Sequence, residues 1–286
     1  MKRLRATIKK PITITGIGIH TGEETTLRLY PATADTGIVF RKPGTKRKII
    51  EASPMNVTDT NGSVTMSAIG HAYEHHVKTI EHLMCALRVA KISDIIIEND
   101  NEEVPILDGS ALPYYKELMK AGIKRYKETI DYIYIKKPIT IIGDNDQYVS
   151  AFPGKKLSVL YTIDFDHPSL KNRTVGITFD RRQLVRDLLP ARTFGFLKDA
   201  VKLLENDMAK GVSRSNSIIL SENNYINKPR LPDECVRHKI LDFLGDTYTI
   251  GRPIIGHFVV NKGNHKMHIA LAQSIYKQYI EKSDTK

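Results

Sequence analysis

Two short segments, far apart in the chain, hold residues whose types and spacing could do chemistry together: Thr79-Ile80-Glu81-His82-Leu83 and His238-Lys239-Ile240-Leu241-Asp242. His82, His238 and Asp242 are three ligands suited to a zinc ion, and Glu81 beside them is a candidate general base. Three protein ligands leave one position of a tetrahedral site open to water, which separates a catalytic zinc from a structural one. Each segment alone is weak. A His-x3-Asp pair on a helix is most often a hydrogen-bonded surface pair, and a lone Glu-His most often does nothing.

The elements that must position these residues strengthen the reading. The spacing predicts a helix over 78–90 with Ile80, Leu83, Met84 and Leu87 as its apolar stripe. At about 100° per residue, His82 points away from that stripe, among Cys85, Ala86 and Val89 rather than lysines. A second helix, predicted over 232–247, repeats the arrangement. Val236, Ile240, Phe243 and Leu244 form its stripe, while His238, Asp242 and Asp246 line the other side with Cys235, Leu241 and Gly245. Each helix therefore has a second covered face that carries its histidine. The simplest geometry turns those faces towards each other, between two domains.

An internal echo supports two domains. Ile8-Lys9-Lys10-Pro11-Ile12-Thr13-Ile14 recurs as Ile135-Lys136-Lys137-Pro138-Ile139-Thr140-Ile141. Each copy leads through a turn into alternating strands, at 25–30 and at 156–165. In both halves strands come first and helices follow without strict βαβ alternation. This predicts an α+β protein of two related domains, 1–126 and 127–286, each a sheet packed on helices. Further helices are expected over 110–121 (Ser110 as N-cap, Gly122 as stop), 181–188, 196–210 and 269–281.

The 286 residues carry a formal charge of +11, which favours an anionic partner. The basic residues are scattered, and neither an RNP-like aromatic motif nor a basic helix with heptads is present, so nucleic acid is disfavoured. Only two cysteines, Cys85 and Cys235, point to a reducing compartment without a disulfide framework. The charged start Met1-Lys2-Arg3-Leu4-Arg5 is followed by no apolar run, and no stretch approaches 18 apolar residues. A cytoplasmic monomer without membrane insertion is expected. Gly16-x-Gly18 lacks the following helix of a dinucleotide fingerprint and reads as a tight turn. His71, His75 and His76 beside Glu74 read as an exposed loop, and Cys85 as a packed thiol.

Seven segments together make the chain resemble the UDP-3-O-acyl-N-acetylglucosamine deacetylase family, zinc amidases of bacterial lipid A synthesis. In order they are Gly16–Gly22, Thr79–Leu83, Val104–Ser110, Ile163–Pro168, Ala191–Phe196, Val236–Asp246 and Gly263–His265. The resemblance implies an active site between the domains, with His82, His238 and Asp242 holding zinc (iron could occupy the same donor set) and Glu81 as base. It implies that Thr193 stabilises the oxyanion and that His265, oriented by Asp246, stabilises that charge or protonates the leaving amine. Lys239 would face the substrate's polar groups and Phe194 the sugar, with His20 nearby. A βαβ insert at about 194–220 would form an apolar passage for the acyl chain.

The sequence departs from the family's pattern in two places. Val212 and Arg214 replace a glycine and an apolar residue in the insert, which bears on acyl length. Around His265, Asn264 stands where the family has the Gly before its histidine, and His268 where it has Asn three residues after. Two other classes stay open: an impaired relative that binds nucleotide-sugar without turnover, and a basic nucleic-acid-binding protein.

Overall fold

The computed structural model describes residues 1–44, 49–67 and 76–281. His71, Glu74 and His75 lie outside them; His76 is half-buried, with Nε2 3.0 Å from Glu102 Oε2. The first half contains β1 (Lys2–Ile8), β2 (Ile12–Ile17), β3 (Glu24–Pro31), β4 (Ile38–Arg41) and β5 (Ile49–Glu51). These are followed by a small sheet of β6 (Val57–Asp59), β7 (Thr65–Ser67) and β8 (His76–Val77). Then come α1 (Glu81–Ala90), β9 (Ile95–Asn99) and α2 (Leu112–Ala121). The segment where the halves join is itself a strand, β10 (Ile123–Asp131), paired antiparallel with β1.

The second half holds β11 (Ile133–Tyr134), β12 (Ile139–Ile142), β13 (Tyr148–Phe152), β14 (Leu157–Ile163), β15 (Arg173–Thr178) and α3 (Arg181–Asp187). An insert of β16 (Phe194–Phe196), α4 (Ala200–Glu205) and β17 (Ile218–Leu220) precedes α5 (Glu234–Tyr248), β18 (Ile254–Asn261) and α6 (His265–Tyr276). The two main sheets have the same plan. Strand order β2-β3-β9-β4-β5 matches β12-β13-β18-β14-β15, with the same directions at every pairing and the parallel pairs, β4 with β9 and β14 with β18, in the same place; in the second sheet the short β11 also pairs parallel with β18. The echo at Ile8 and Ile135 thus leads into equivalent edge strands, β2 and β12. The expected match of 25–30 with 156–165 is corrected: β3 corresponds to β13, and β14 to β4. Alternation alone marks a strand, not its place in a sheet.

Buried residues alternate with half-buried or exposed ones along β3, β14 and β18, the pattern of strands with one face on a core. α5 lies against β14 and β15, and α6 against β12 and β13. α1 and α5 pack on each other, giving layers of sheet, helices, helices, sheet. This is why α1 is buried along its whole length, and why only Arg237 and Lys239 of α5 escape full burial.

Three local expectations shift. Ala111, not Ser110, is the N-cap of α2, while Ser110 Oγ donates to Asp108 Oδ1 (2.7 Å). The apolar run 196–210 is broken into β16, a 3-10 turn and the short α4. The last helix begins at His265 because Asn264 caps it, its side chain accepting from Met267 N–H at 3.1 Å.

Candidate active site

The first residues of α1 and the middle of α5 meet at Gly245. A Cβ on Gly245 would lie 2.0 Å from the Glu81 carbonyl oxygen, so only glycine lets the two backbones approach this closely. A mid-helix glycine costs about 1 kcal/mol relative to alanine, and here it allows Glu81 and His82 to reach His238 and Asp242. Gly245→Ala is expected to lower stability by about 1–3 kcal/mol, the usual range for overpacking. It should also weaken metal binding, measured by denaturant unfolding and by metal titration of the refolded protein.

His82, His238 and Asp242 are all buried, and their ligand atoms lie within 4.8 Å of one another. Asp242 Oδ1 is 3.6 Å from His82 Nε2 and 3.3 Å from His238 Nε2. Two donors at about 2.0–2.2 Å from one tetrahedral ion stand about 3.3–3.6 Å apart, so the spacing fits a metal. The chemistry of the donors fits too. Asp242 Oδ1 is buried without a hydrogen-bond partner, while Oδ2 accepts from Lys239 Nζ at 3.0 Å. His238 Nδ1 sits 3.1 Å from the Ala191 carbonyl; an Nδ1–H donating to that carbonyl leaves Nε2 as an acceptor facing the cluster. Burial pulls the His238 imidazole down to about 4 and keeps it neutral. Burial acts to raise Asp242, but His238 and Lys239 outweigh it and hold the carboxyl well below its ordinary range.

Glu81 is buried beside this cluster, with Oε2 accepting from Val64 N–H at 3.2 Å. Burial pushes its pKa up to about 7, against the opposing pull of His265 and His82. His265 Nδ1 is 2.8 Å from Asp246 Oδ2, and its Nε2 lies 4.0 Å from Asp242 Oδ2. His268 binds the same Asp246 oxygen at 2.7 Å and touches Tyr161 OH through Nε2 at 3.1 Å. Where His268 departs from the family's pattern, it therefore adds a second imidazole to the carboxylate that orients His265. Asn264, the other departure there, holds His265 at the start of α6 by capping that helix. Cys85 is buried and stands outside the cluster; burial drives its thiol far up, in keeping with a packed thiol.

Two hollows meet at this cluster. One is an open cleft of about 1070 Å³ lined by Lys198, Lys239, Lys262 and Lys266 together with Asp59, Asp164, Asp166 and Asp199. The other is a narrower cavity of about 420 Å³ with apolar walls from Ile19, Ile106, Phe196, Leu203, Leu204 and Val212. Both are lined by Thr193, Phe194, His238, Asp242 and His265. Phe194 stands edge-on to His238, with ring centroids 6.3 Å apart. His20 and Glu81 line the apolar cavity. Arg214 is exposed and does not line it, so of the two insert departures Val212 alone bears on its shape.

The Gly16–Gly22 loop is shaped by a carboxylate. Buried Glu103 accepts from His20 N–H (3.1 Å), Thr21 N–H (2.9 Å) and Thr79 Oγ1 (2.7 Å), and a Cβ on Gly18 would lie 2.2 Å from its Oε2. A loop filled by an anion holds no phosphate. Sequence reasoning missed Lys262 and Lys266 on the cleft wall; both lie within four residues of His265, and that proximity was the available signal. It also missed Val64 and Ala191, which act through backbone groups that no residue type reveals.

Comparison with known proteins agrees with this geometry. The family model described as UDP-3-O-acyl N-acetylglycosamine deacetylase matches residues 5–277. A UDP-3-O-acyl-N-acetylglucosamine deacetylase of Leptospira biflexa is 43% identical over 276 residues, 96% of this chain and 90% of its own. Those of Thermodesulfovibrio yellowstonii and Myxococcus xanthus are 40% and 36% identical, over 92% and 94% of this chain and 88% and 85% of theirs. The chain belongs to the UDP-3-O-acyl N-acetylglycosamine deacetylase family.

Proposed function

We propose that this chain hydrolyses the N-acetyl amide of UDP-3-O-acyl-N-acetylglucosamine, releasing acetate, with zinc held by His82, His238 and Asp242. The observation that carries the reading is the meeting of a polar cleft and an apolar cavity at one buried His/His/Asp cluster with a glutamate beside it. An amphiphile with an anionic head in the cleft and an acyl tail in the cavity has its amide at that junction.

Zinc, when bound, supplies Lewis-acid polarisation of the acetyl carbonyl and activation of water. Glu81 takes the proton of the attacking water; a pKa raised to about 7 suits a group that must accept a proton and release it again near neutrality. The Thr193 hydroxyl and His265 stabilise the oxyanion that develops on the acetyl oxygen. Asp246 orients His265 through Nδ1, leaving Nε2 towards the reacting bond. The departing amine takes its proton from His265 or from Glu81. Lys239 meets the anionic head, Phe194 packs on the sugar, and His20 stands at the entrance to the acyl cavity. A saturated chain gains about 0.8 kcal/mol per buried CH2, so the cavity supplies much of the binding energy.

The halves divide into domains at about 1–126 and 127–286, and the enzyme acts as a cytoplasmic monomer on a small anionic substrate rather than on nucleic acid. Among the described residues, no helix is long and apolar enough to cross a membrane.

The test is acetate release from UDP-3-O-acyl-N-acetylglucosamine before chelation, after it, and with zinc or iron(II) restored. Turnover lost on chelation and regained with zinc is expected, and regain with iron alone would reassign the metal. Absence of turnover in folded, metal-loaded protein across several acyl lengths would overturn the reading in favour of a binding-only relative. Repeating the acyl series on Val212→Gly should shift the preferred length.

A further inference from the structure

We propose that a second cavity, at the end of α1 and α5 remote from the reaction, binds a small phosphate-bearing molecule with an aromatic or apolar substituent. The cavity measures about 280 Å³ and is lined by Arg3, Arg88, Lys91 and Lys156, with Tyr132 and Tyr248 among its walls. Lys91 follows the last residue of α1, whose first residue is Glu81, so about 15 Å of helix separates the two sites.

No carboxylate lines this cavity among the described residues. The nearby acids are engaged elsewhere: Asp131 faces Lys2 at 3.9 Å, and Asp94 holds Arg5 at 2.7 Å. Arg88 is 4% exposed, and among the described residues its partners are all neutral: it donates to the Leu244 carbonyl (2.9 Å) and Thr247 Oγ1 (2.8 Å), and its guanidinium carbon lies 5.7 Å from the centre of the Tyr248 ring. Arg3 donates through Nη2 to Tyr248 OH at 2.8 Å, and its Nε is buried without a partner. Buried charges are ordinarily paired. Burial pulls the Arg88 guanidinium down to about 10, against the opposing pull of Tyr248 and Cys85 and with a smaller push from Arg3.

The C-terminal ends of α1 and α5 offset part of this charge. Each helix end contributes about half a negative charge, so roughly one unit is set against four cations, and a large positive excess remains. A doubly charged phosphate ester matches that excess, and guanidinium groups suit its oxygens. The tyrosine rings and the apolar Leu157, Phe179 and Ile254 offer a surface for the rest of such a ligand.

The experiment is calorimetric titration of the zinc-loaded full chain with phenyl phosphate and with inorganic phosphate. Lys91→Ala/Lys156→Ala alters two exposed side chains outside the reaction machinery, so deacetylase turnover should be unchanged. Phenyl phosphate should bind the parent protein more tightly than inorganic phosphate does, and the double variant should bind it about tenfold or more weakly. Lys262→Ala, in the catalytic cleft, should leave this binding intact. Binding that is absent from the parent, unaffected by the double variant, or lost only in Lys262→Ala overturns the proposal. Lys91/Lys156-dependent capture by phosphatidylglycerol vesicles, without phenyl phosphate binding, would overturn the small-molecule form and assign the cavity to a lipid headgroup.

Discussion

Replacing Glu81 by glutamine is expected to lower kcat by about 10²–10⁴, the usual contribution of general acid–base catalysis, while zinc content stays at the parent level. The substitution keeps the shape and the buried volume, and the amide oxygen can still accept from Val64 N–H, so the fold should hold. What it removes is the ability to take a proton beside the cluster. Glu81 is not among the grouped ligand atoms of His82, His238 and Asp242, so a glutamine should leave metal affinity largely intact. Rates measured under saturating substrate, with metal content determined on the same samples, separate the two functions. Full activity in the variant would remove Glu81 from the base role; loss of metal in step with activity would make it a ligand instead.

His238→Ala should act on the other side of that division. It removes one of three donors and leaves Asp242 Oδ1, already buried without a hydrogen-bond partner, facing His82 alone. Loss of a residue that merely orients a ligand costs about 10–100-fold in metal affinity, and loss of the ligand itself should cost more than that. Competition with a chromogenic chelator would read the change directly. Zinc affinity within threefold of the parent would take His238 out of the metal site. The imidazole also stands edge-on to Phe194, so the alanine opens space beside that ring, where both hollows meet, and KM should rise for whatever activity remains.

Both predictions rest on α1 and α5 lying face to face, and this much was legible beforehand. The helix with Ile80, Leu83, Met84 and Leu87 on one side carries Cys85, Ala86 and Val89 with His82 on the other, and α5 repeats that pattern with Cys235, Leu241 and Gly245 beside His238 and Asp242. A helix without a solvated face must be covered twice, and two such helices can cover each other. The echo of Ile8–Ile14 at Ile135–Ile141 was likewise enough to expect two related halves. It was not enough to align their strands, because β3 and β14 share a period-2 burial that β13, the true counterpart of β3, lacks. The insert shows a further limit. Its apolar run predicts one long helix, yet Phe194–Phe196 pairs with Ile218–Leu220 as strands, and leucines at 197 and 204 stay exposed.

The residue types and their order, taken alone, determined the α+β class, the family resemblance and the set of side chains able to hold a metal. These depend on local periodicity and on chemistry that each side chain carries with it. Tertiary structure alone decided how those side chains meet. Gly245 can be read as a helix weakness until its missing Cβ is seen to admit the Glu81 carbonyl. Asp246 can be read as one histidine's partner until His268 is found on the same oxygen. The Val64 amide, the Ala191 carbonyl and the cation-lined cavity around Arg88 have no signature in the sequence. Each is formed by groups brought together through non-local packing, and such distances follow only once the sheets and helices have closed on one another.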